Sequence, residues 1–148
     1  RIVAEGHEIG NHTWTHRKLT ALSDSQVRKE MNTTRDAIVA ACGVKPRTMR
    51  PPYGALRQDQ RAWIYKEYGY PTILWSVDPE DWKRPGLSVV TSRIVNNTRN
   101  GGIVLAHDLH KPTVDAMPAT LDGLLRKGFK FVTVSQLLAL SPPTAAAR

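Results

Sequence analysis

Hydrophobic and polar positions along the chain alternate between two rhythms. Short runs dense in apolar residues, "HEIGNH", "RTMRPP", "TILWSV", "GIVLAH" and "FKFVTV", have the length and bounding residues of strands. Between them, apolar residues recur at helical spacing. Val27, Met31, Thr34, Ile38 and Cys42 form one such stripe. It opens on a capping box, with Ser23 as N-cap and Gln26 three residues on, and it closes at Gly43. Further helices are predicted over residues 55–68, stopped by Gly69, over 88–100, stopped by Gly101 and Gly102, and over 114–127, closed by Gly128. Pro118 falls within the last of these, so that helix either begins there or kinks. "SQLLAL" predicts a final short helix.

Strand followed by helix, repeated about five times, implies an α/β fold with a parallel sheet and helices outside it. The runs "TILWSV" and "GIVLAH" are apolar on both alternations, as strands buried on both faces should be. A barrel and an open doubly wound sheet both satisfy the pattern. The sequence shows no internal repeat, and no second domain is expected within it. Residues 1–140 read as one domain, and "SPPTAAAR", residues 141–148, as a frayed tail or linker.

Composition narrows the classes. The 148 residues fit a single domain able to bury a core without disulfides. One cysteine, Cys42, excludes an internal disulfide and a multi-cysteine zinc cluster. No apolar run is long enough to span a bilayer. The net charge of +8 favours anionic partners such as nucleic acid, a membrane surface or an acidic wall polymer. The Lys and Arg residues are scattered, however, and no nucleic-acid signature accompanies them, so nucleic acid is not expected as a ligand. Opening on "RIVAEGHEIG", with no starting Met and no signal-peptide pattern, the chain is expected to be a fragment with its natural N-terminus upstream.

The reactive residue types follow the strand candidates. His12 and His16 come after the first, Arg50 with "PPYG" after the second, Asp78, Asp81 and Trp82 after the third, and His107 with Asp108 after the fourth. In parallel α/β folds the C-terminal ends of the strands share one mouth, so four segments are expected to deliver polar groups to the same side. Two imidazoles four residues apart share one side of a helix or tight turn, and neutral imidazole is a common Zn²⁺ ligand. Surface or capping histidines would show the same spacing. Arg50 before two prolines suits bidentate orientation of a carboxylate, and a rigid Tyr53 amide suits an oxyanion. A plain turn with a surface arginine has the same appearance. Asp78 ends an apolar strand and is expected to point into the mouth, unless "DPEDW" is a solvated acidic turn. His107 ends a buried strand. Paired with a carboxylate it would be held in one tautomer and serve as general acid, the alternative being a satisfied core histidine.

Taken in this order, "HTWTH", "RPPYG", "DPEDW" and "LAH" resemble four of the five motifs of the polysaccharide deacetylases of the NodB-homology type, carbohydrate esterase family 4. "AEGHEIGNHT" and "GFKFVTVSQLL" look like the same family, so the resemblance covers nearly the whole chain. It implies a distorted (β/α) barrel and a metal-dependent hydrolase. Such an enzyme removes acetyl groups from N-acetylated or O-acetylated polysaccharides such as chitin, peptidoglycan or xylan. His12 and His16 match the metal-binding histidines, with Zn²⁺ or another divalent ion such as Co²⁺ as cofactor. Arg50 matches the arginine that orients the catalytic base. The Tyr53 amide matches the oxyanion donor, with Pro52 and Tyr53 on the substrate side. An aspartate of "DPEDW" matches the residue that tunes the catalytic histidine, Asp78 being favoured over Asp81. Trp82 and Leu105 match the apolar walls around the acetyl methyl, and His107 the general acid.

One departure stands out. The family's first motif, of the form T-F-D-D-G, is absent, and no Asp-Asp pair occurs in the chain. In the family those aspartates are the general base and the third metal ligand. The barrel is therefore expected to be incomplete here, lacking its N-terminal strands, and this chain alone to lack the base. The competing reading is an inactive fragment or a non-catalytic glycan-binding pseudoenzyme, in which Trp14, Tyr53 and Trp82 stack on sugar rings. The resemblance implies an acetylated polysaccharide partner and a secreted or cell-envelope location. Oligomeric state is not legible in the sequence.

Overall fold

A computed structural model of the chain describes residues 1–140. The expected tail, 141–148, lies outside the described residues. Two compact units emerge: Arg1–Leu74 joined by the segment from Thr133 onward, and Trp75–Val132.

In the first unit three extended segments pair in parallel and in chain order, with Asn11 bridged to Met49 and Met49 to Thr72. The ladder is made by Asn11 N–H to Thr48 O at 2.8 Å, Arg50 N–H to Asn11 O at 2.9 Å, and Ile73 N–H to Met49 O at 2.8 Å. These are single bridges, shorter than the strands expected. Proline supplies the reason. Pro51 and Pro52 follow the central segment and Pro71 opens the third, and a residue without N–H cannot extend a ladder.

Helix α1 (Asp24–Cys42) covers this sheet. Ser23 caps it through the reciprocal box with Gln26, and Gly43 ends it at φ 73°. Helix α2 (Gln58–Tyr68) begins three residues later than expected at Ala55 and ends at Gly69. Leu19, Leu22, Val27, Met31, Met49, Ile64 and Tyr70 form the core between the helices and the extended segments. Burial of such side chains contributes about 1.5–3 kcal/mol each. Buried Gln60 satisfies itself by donating to Leu19 O at 2.9 Å and accepting from Arg57 N at 3.1 Å.

The second unit holds one further parallel bridge, Val77 to Val104. The run "TILWSV" is thus divided, with Thr72 paired in the first unit and Val77 in the second, and Leu74 between them is 40% exposed rather than buried on both faces. Helices α3 (Leu87–Asn97) and α4 (Lys111–Arg126) pack through Val90, Ile94, Ala116 and Leu124. A Cβ on Gly123 would come within 2.9 Å of Val95 Cγ2, so glycine permits the close approach of the two helices. Helix α4 starts at Lys111, with Pro112 in its first turn, which leaves Pro118 inside it. The stop of α3 falls on Thr98, whose N–H and hydroxyl both donate to Ile94 O, ahead of the glycine pair expected to end it.

"FKFVTV" forms no bridge among the described residues, and Phe131 is 52% exposed. Its end is drawn into a helix instead. Thr133 and Gln136 exchange hydrogen bonds at 2.9 and 3.2 Å, and α5 (Val134–Leu140) follows. Glu8 ties α5 back to the first segment by accepting from Ser135 N at 2.8 Å and Ser135 Oγ at 2.6 Å. Among the described residues no helix is long and apolar enough to cross a membrane.

Candidate active site

Each unit holds one cluster of reactive side chains. In the first, the chain leaves its bridge at Asn11, which is buried, donates to Met31 O at 2.9 Å and accepts from Thr13 N at 3.0 Å. His12 then places Nδ1 2.5 Å from Arg50 O. A carbonyl oxygen only accepts, so Nδ1 carries a proton, and in a neutral ring the lone pair would then lie on Nε2. The His16 ring lies edge-on to His12, with centroids 5.0 Å apart, and edge-on to Tyr53 at 5.0 Å. His12, His16, Arg50 and Tyr53, drawn from two segments nearly forty residues apart, are thus brought together.

The backbone there is strained. Thr13, His16 and Tyr53 have φ of 67°, 57° and 60°. Left-handed geometry costs a non-glycine residue roughly 1–2 kcal/mol, so the surroundings must hold these turns in place. Much of that hold comes from Glu30 on α1. Its carboxylate accepts Trp14 N at 2.8 Å, Thr15 N at 2.7 Å and Thr15 Oγ1 at 2.6 Å. Burial raises the Glu30 carboxyl, but those bonds and the charge of Arg17 outweigh it and keep the group below its ordinary value. Trp14 is pinned by its amide while the residue stays 58% exposed.

Arg50 is half-buried, and among the described residues its guanidinium makes no hydrogen bond or ion pair; burial alone pushes it below its ordinary value. Tyr53 sits in the 3₁₀ turn Pro52–Gly54, folded by Gly54 N–H to Pro51 O and Ala55 N–H to Pro52 O, each at 3.1 Å. Pro52 is buried and Tyr53 is 68% exposed.

The second unit's cluster centres on Asp81, which is 1% exposed. Oδ1 lies 2.8 Å from His107 Nδ1, and Oδ2 accepts His107 N at 2.7 Å and Thr113 Oγ1 at 3.0 Å. Burial raises the Asp81 carboxyl, but the bonds from His107 and Thr113 together hold it below its ordinary value, so it is ionised at neutral pH. The carboxylate fixes the proton of His107 on Nδ1. The side chain of His107 is 34% exposed. A histidine oriented this way can offer Nε2 for proton transfer.

The contact expected of Asp78 is made by Asp81. Asp78 is exposed and its Oδ1 accepts Glu80 N at 2.8 Å. The cause is a turn in which Glu80 and Arg84 both take φ of 53°, swinging Asp81 inward. Lys83 at 2.6 Å and Arg93 at 3.1 Å hold the Glu80 carboxylate that anchors the turn. Trp82 is 52% exposed with Lys83 Nζ 5.0 Å from its ring centre, and Leu105 is buried.

His12 and His16 fit two positions of a zinc site; among the described residues no group of three His, Cys, Asp or Glu side chains completes one. Two residues that shape these clusters escaped the sequence reading. Glu30 lies three residues after Val27 and one before Met31, inside a buried stripe. Thr113 shares the buried face of α4 with Ala116, Thr120 and Leu124. A polar residue within an apolar helical stripe was the available signal for both.

The family model described as polysaccharide deacetylase matches residues 1–73. The peptidoglycan-N-acetylglucosamine deacetylase PgdA of Listeria monocytogenes is 40% identical over 137 residues, covering 93% of this chain and 28% of that protein. A chitooligosaccharide deacetylase from a Bradyrhizobium strain is 40% identical over 152 residues, covering 93% of this chain and 69% of that protein. Among solved structures, the peptidoglycan deacetylase PdaC from Bacillus subtilis superposes with a TM-score of 0.87 at 36% identity, over 95% of this chain and 67% of that one. A CE4 family pseudoenzyme from Bacillus anthracis superposes with a TM-score of 0.85 at 34% identity, over 93% of this chain and 48% of that one. The chain thus spans little more than a quarter of the listerial protein, 28%.

Proposed function

The chain belongs to the polysaccharide deacetylase family, and from that premise we propose that it forms part of a metal-dependent enzyme that releases acetate from N-acetylated glycans of the peptidoglycan or chitin type. The observation that carries this is the buried Asp81 carboxylate 2.8 Å from His107 Nδ1, an arrangement suited to a general acid. An incomplete (β/α) barrel, with the Asp-Asp motif supplied elsewhere in the whole protein, accompanies the reading.

In this mechanism His12 and His16 would hold the ion, with an aspartate of the missing motif as a further ligand. The chemistry supplied there by a bound Zn²⁺ or Co²⁺ would be Lewis acidity toward the acetyl carbonyl and toward water. Arg50 orients the second aspartate of that motif, which takes the water proton. The Tyr53 amide donates to the oxyanion. Trp82 and Leu105 take the family's role of apolar walls around the acetyl methyl, and Pro52 that of a substrate-side residue. As the carbon–nitrogen bond breaks, the doubly protonated form of His107 would give its Nε2 proton to the leaving nitrogen and become neutral, its Nδ1 proton staying in the bond to Asp81, which steadies the ring. Water has then added across the amide, leaving acetate and a free-amine sugar. An O-acetyl substrate such as acetylxylan would follow the same path with an alcohol leaving. Acetylated wall polymer as substrate implies a secreted or cell-envelope site of action, and the net charge of +8 suits an anionic wall.

The test is acetate release by the whole protein, with Zn²⁺, Co²⁺ or Mn²⁺, from N-acetylglucosamine oligomers and peptidoglycan. Absence of release there and from acetylxylan overturns the reading. Similarity to the pseudoenzyme supports a second reading, a glycan binder in which Trp14, Tyr53 and Trp82 stack on sugars; binding without acetate release would favour it.

A further inference from the structure

We infer that Thr113 is a positioning residue for His107, acting through Asp81; its catalytic consequence rests on the function proposed above. Three donors meet on the Asp81 carboxylate. Two come from His107, its ring on Oδ1 at 2.8 Å and its amide on Oδ2 at 2.7 Å. The third is the Thr113 hydroxyl on Oδ2 at 3.0 Å, delivered by the first turn of α4. A carboxylate torsion is broad and roughly two-fold, so bonds from a single residue leave its plane free to rock with that residue. A donor from a separate element removes that freedom.

Thr113 suits the task. It is 3% exposed, and its branched side chain is stiff at χ1. Thr34, Thr98 and Thr120 donate their hydroxyls to their own helices, on Glu30 O at 2.9 Å, Ile94 O at 2.7 Å and Ala116 O at 2.7 Å, while Thr91 of α3 reaches Ala116 O of α4 at 3.4 Å. Thr113 lies in the first turn, where no carbonyl four residues back belongs to the helix, and its hydroxyl turns to Asp81 instead. The start of α4 also carries the positive end of the helix dipole, which favours an anion beside it. Asp81 is thereby kept ionised and in one plane, and His107 Nδ1–H is kept on one oxygen.

The experiment uses the whole protein labelled with ¹⁵N-histidine and compares Thr113→Val, which removes the hydroxyl at equal size, with Thr113→Ser, which keeps it. The His107 Nδ1–H signal is expected to exchange with solvent about tenfold faster in Thr113→Val, and to be restored in Thr113→Ser. An unchanged signal in Thr113→Val overturns the inference. Should Thr113→Val fail to fold, the wild-type hydroxyl proton decides. A slowly exchanging Thr113 hydroxyl close to the His107 amide supports the inference, and its absence overturns it. Where the wild type releases acetate, kcat is expected to fall roughly tenfold in Thr113→Val with KM unchanged, and to recover in Thr113→Ser. An inactive wild type with the same Nδ1–H response overturns the proposed function and leaves the role of Thr113 standing.

Discussion

Glu30 grips Thr15 with both carboxylate oxygens, Oε1 on the hydroxyl at 2.6 Å and Oε2 on the amide at 2.7 Å. The grip falls between two imidazoles that a metal ion would require in register, so a helix residue outside every motif governs the histidine loop.

Glu30→Gln removes an acceptor and leaves loop amides short of partners. The expected cost is about 1–3 kcal/mol of stability, read from chemical denaturation. Zinc affinity of the whole protein, read by chelator competition, is expected to fall about tenfold or more. Full zinc affinity alongside the stability loss would confine Glu30 to holding the fold.

Asp81 and Asp78 separate by mutation. Asp81→Asn is expected to lower kcat of the whole protein by roughly a hundredfold or more, because the amide offers one acceptor oxygen where three donors meet, and an NH2 turned toward the ring would favour the wrong tautomer of His107. Asp78→Asn, which changes an exposed turn bond to Glu80 N, is expected to stay within about twofold. Equal losses in the two variants would return the role to an open choice.

Acid should undo both clusters. Glu30 and Asp81 lie below their ordinary values of 4.5 and 3.8. A depressed folded-state value means stability that is fully present above the ordinary one and is lost as pH falls through the folded one. The urea midpoint is therefore expected to be flat from about pH 7 to pH 5 and to drop below about pH 4.5, with a smaller drop in Asp81→Asn. A midpoint that does not move between about pH 6 and pH 3 would contradict the shifts.

Residues 1–148 alone are expected to bind zinc weakly and to release little acetate, since two imidazoles fall short of the three protein ligands of a catalytic site. Calorimetric titration checks this, and tight stoichiometric zinc in the isolated chain would contradict it.

Signals confined to a few neighbouring residues were legible in the sequence. Ser23 with Gln26, Gly43 and Gly69 mark helix ends because capping chemistry is local. Strand length was not, because Pro51 and Pro71 cut the ladders that the apolar runs suggest. The choice between Asp78 and Asp81 was hidden by a left-handed turn at Glu80, a residue type that rarely announces one. Glu30 and Thr113 were hidden for a different reason. Each contributes through a partner 15 and 32 residues away, which no spacing rule reaches.

The bond between Glu8 and Ser135 fastens the opening segment to helix α5 across 127 positions of sequence. Glu8 stands four residues before His12. Shortening the protein back past Ser135 would therefore loosen the stretch that leads into the histidine pair. A cut near Ser135 is thus also a change to the stretch that carries His12 and His16.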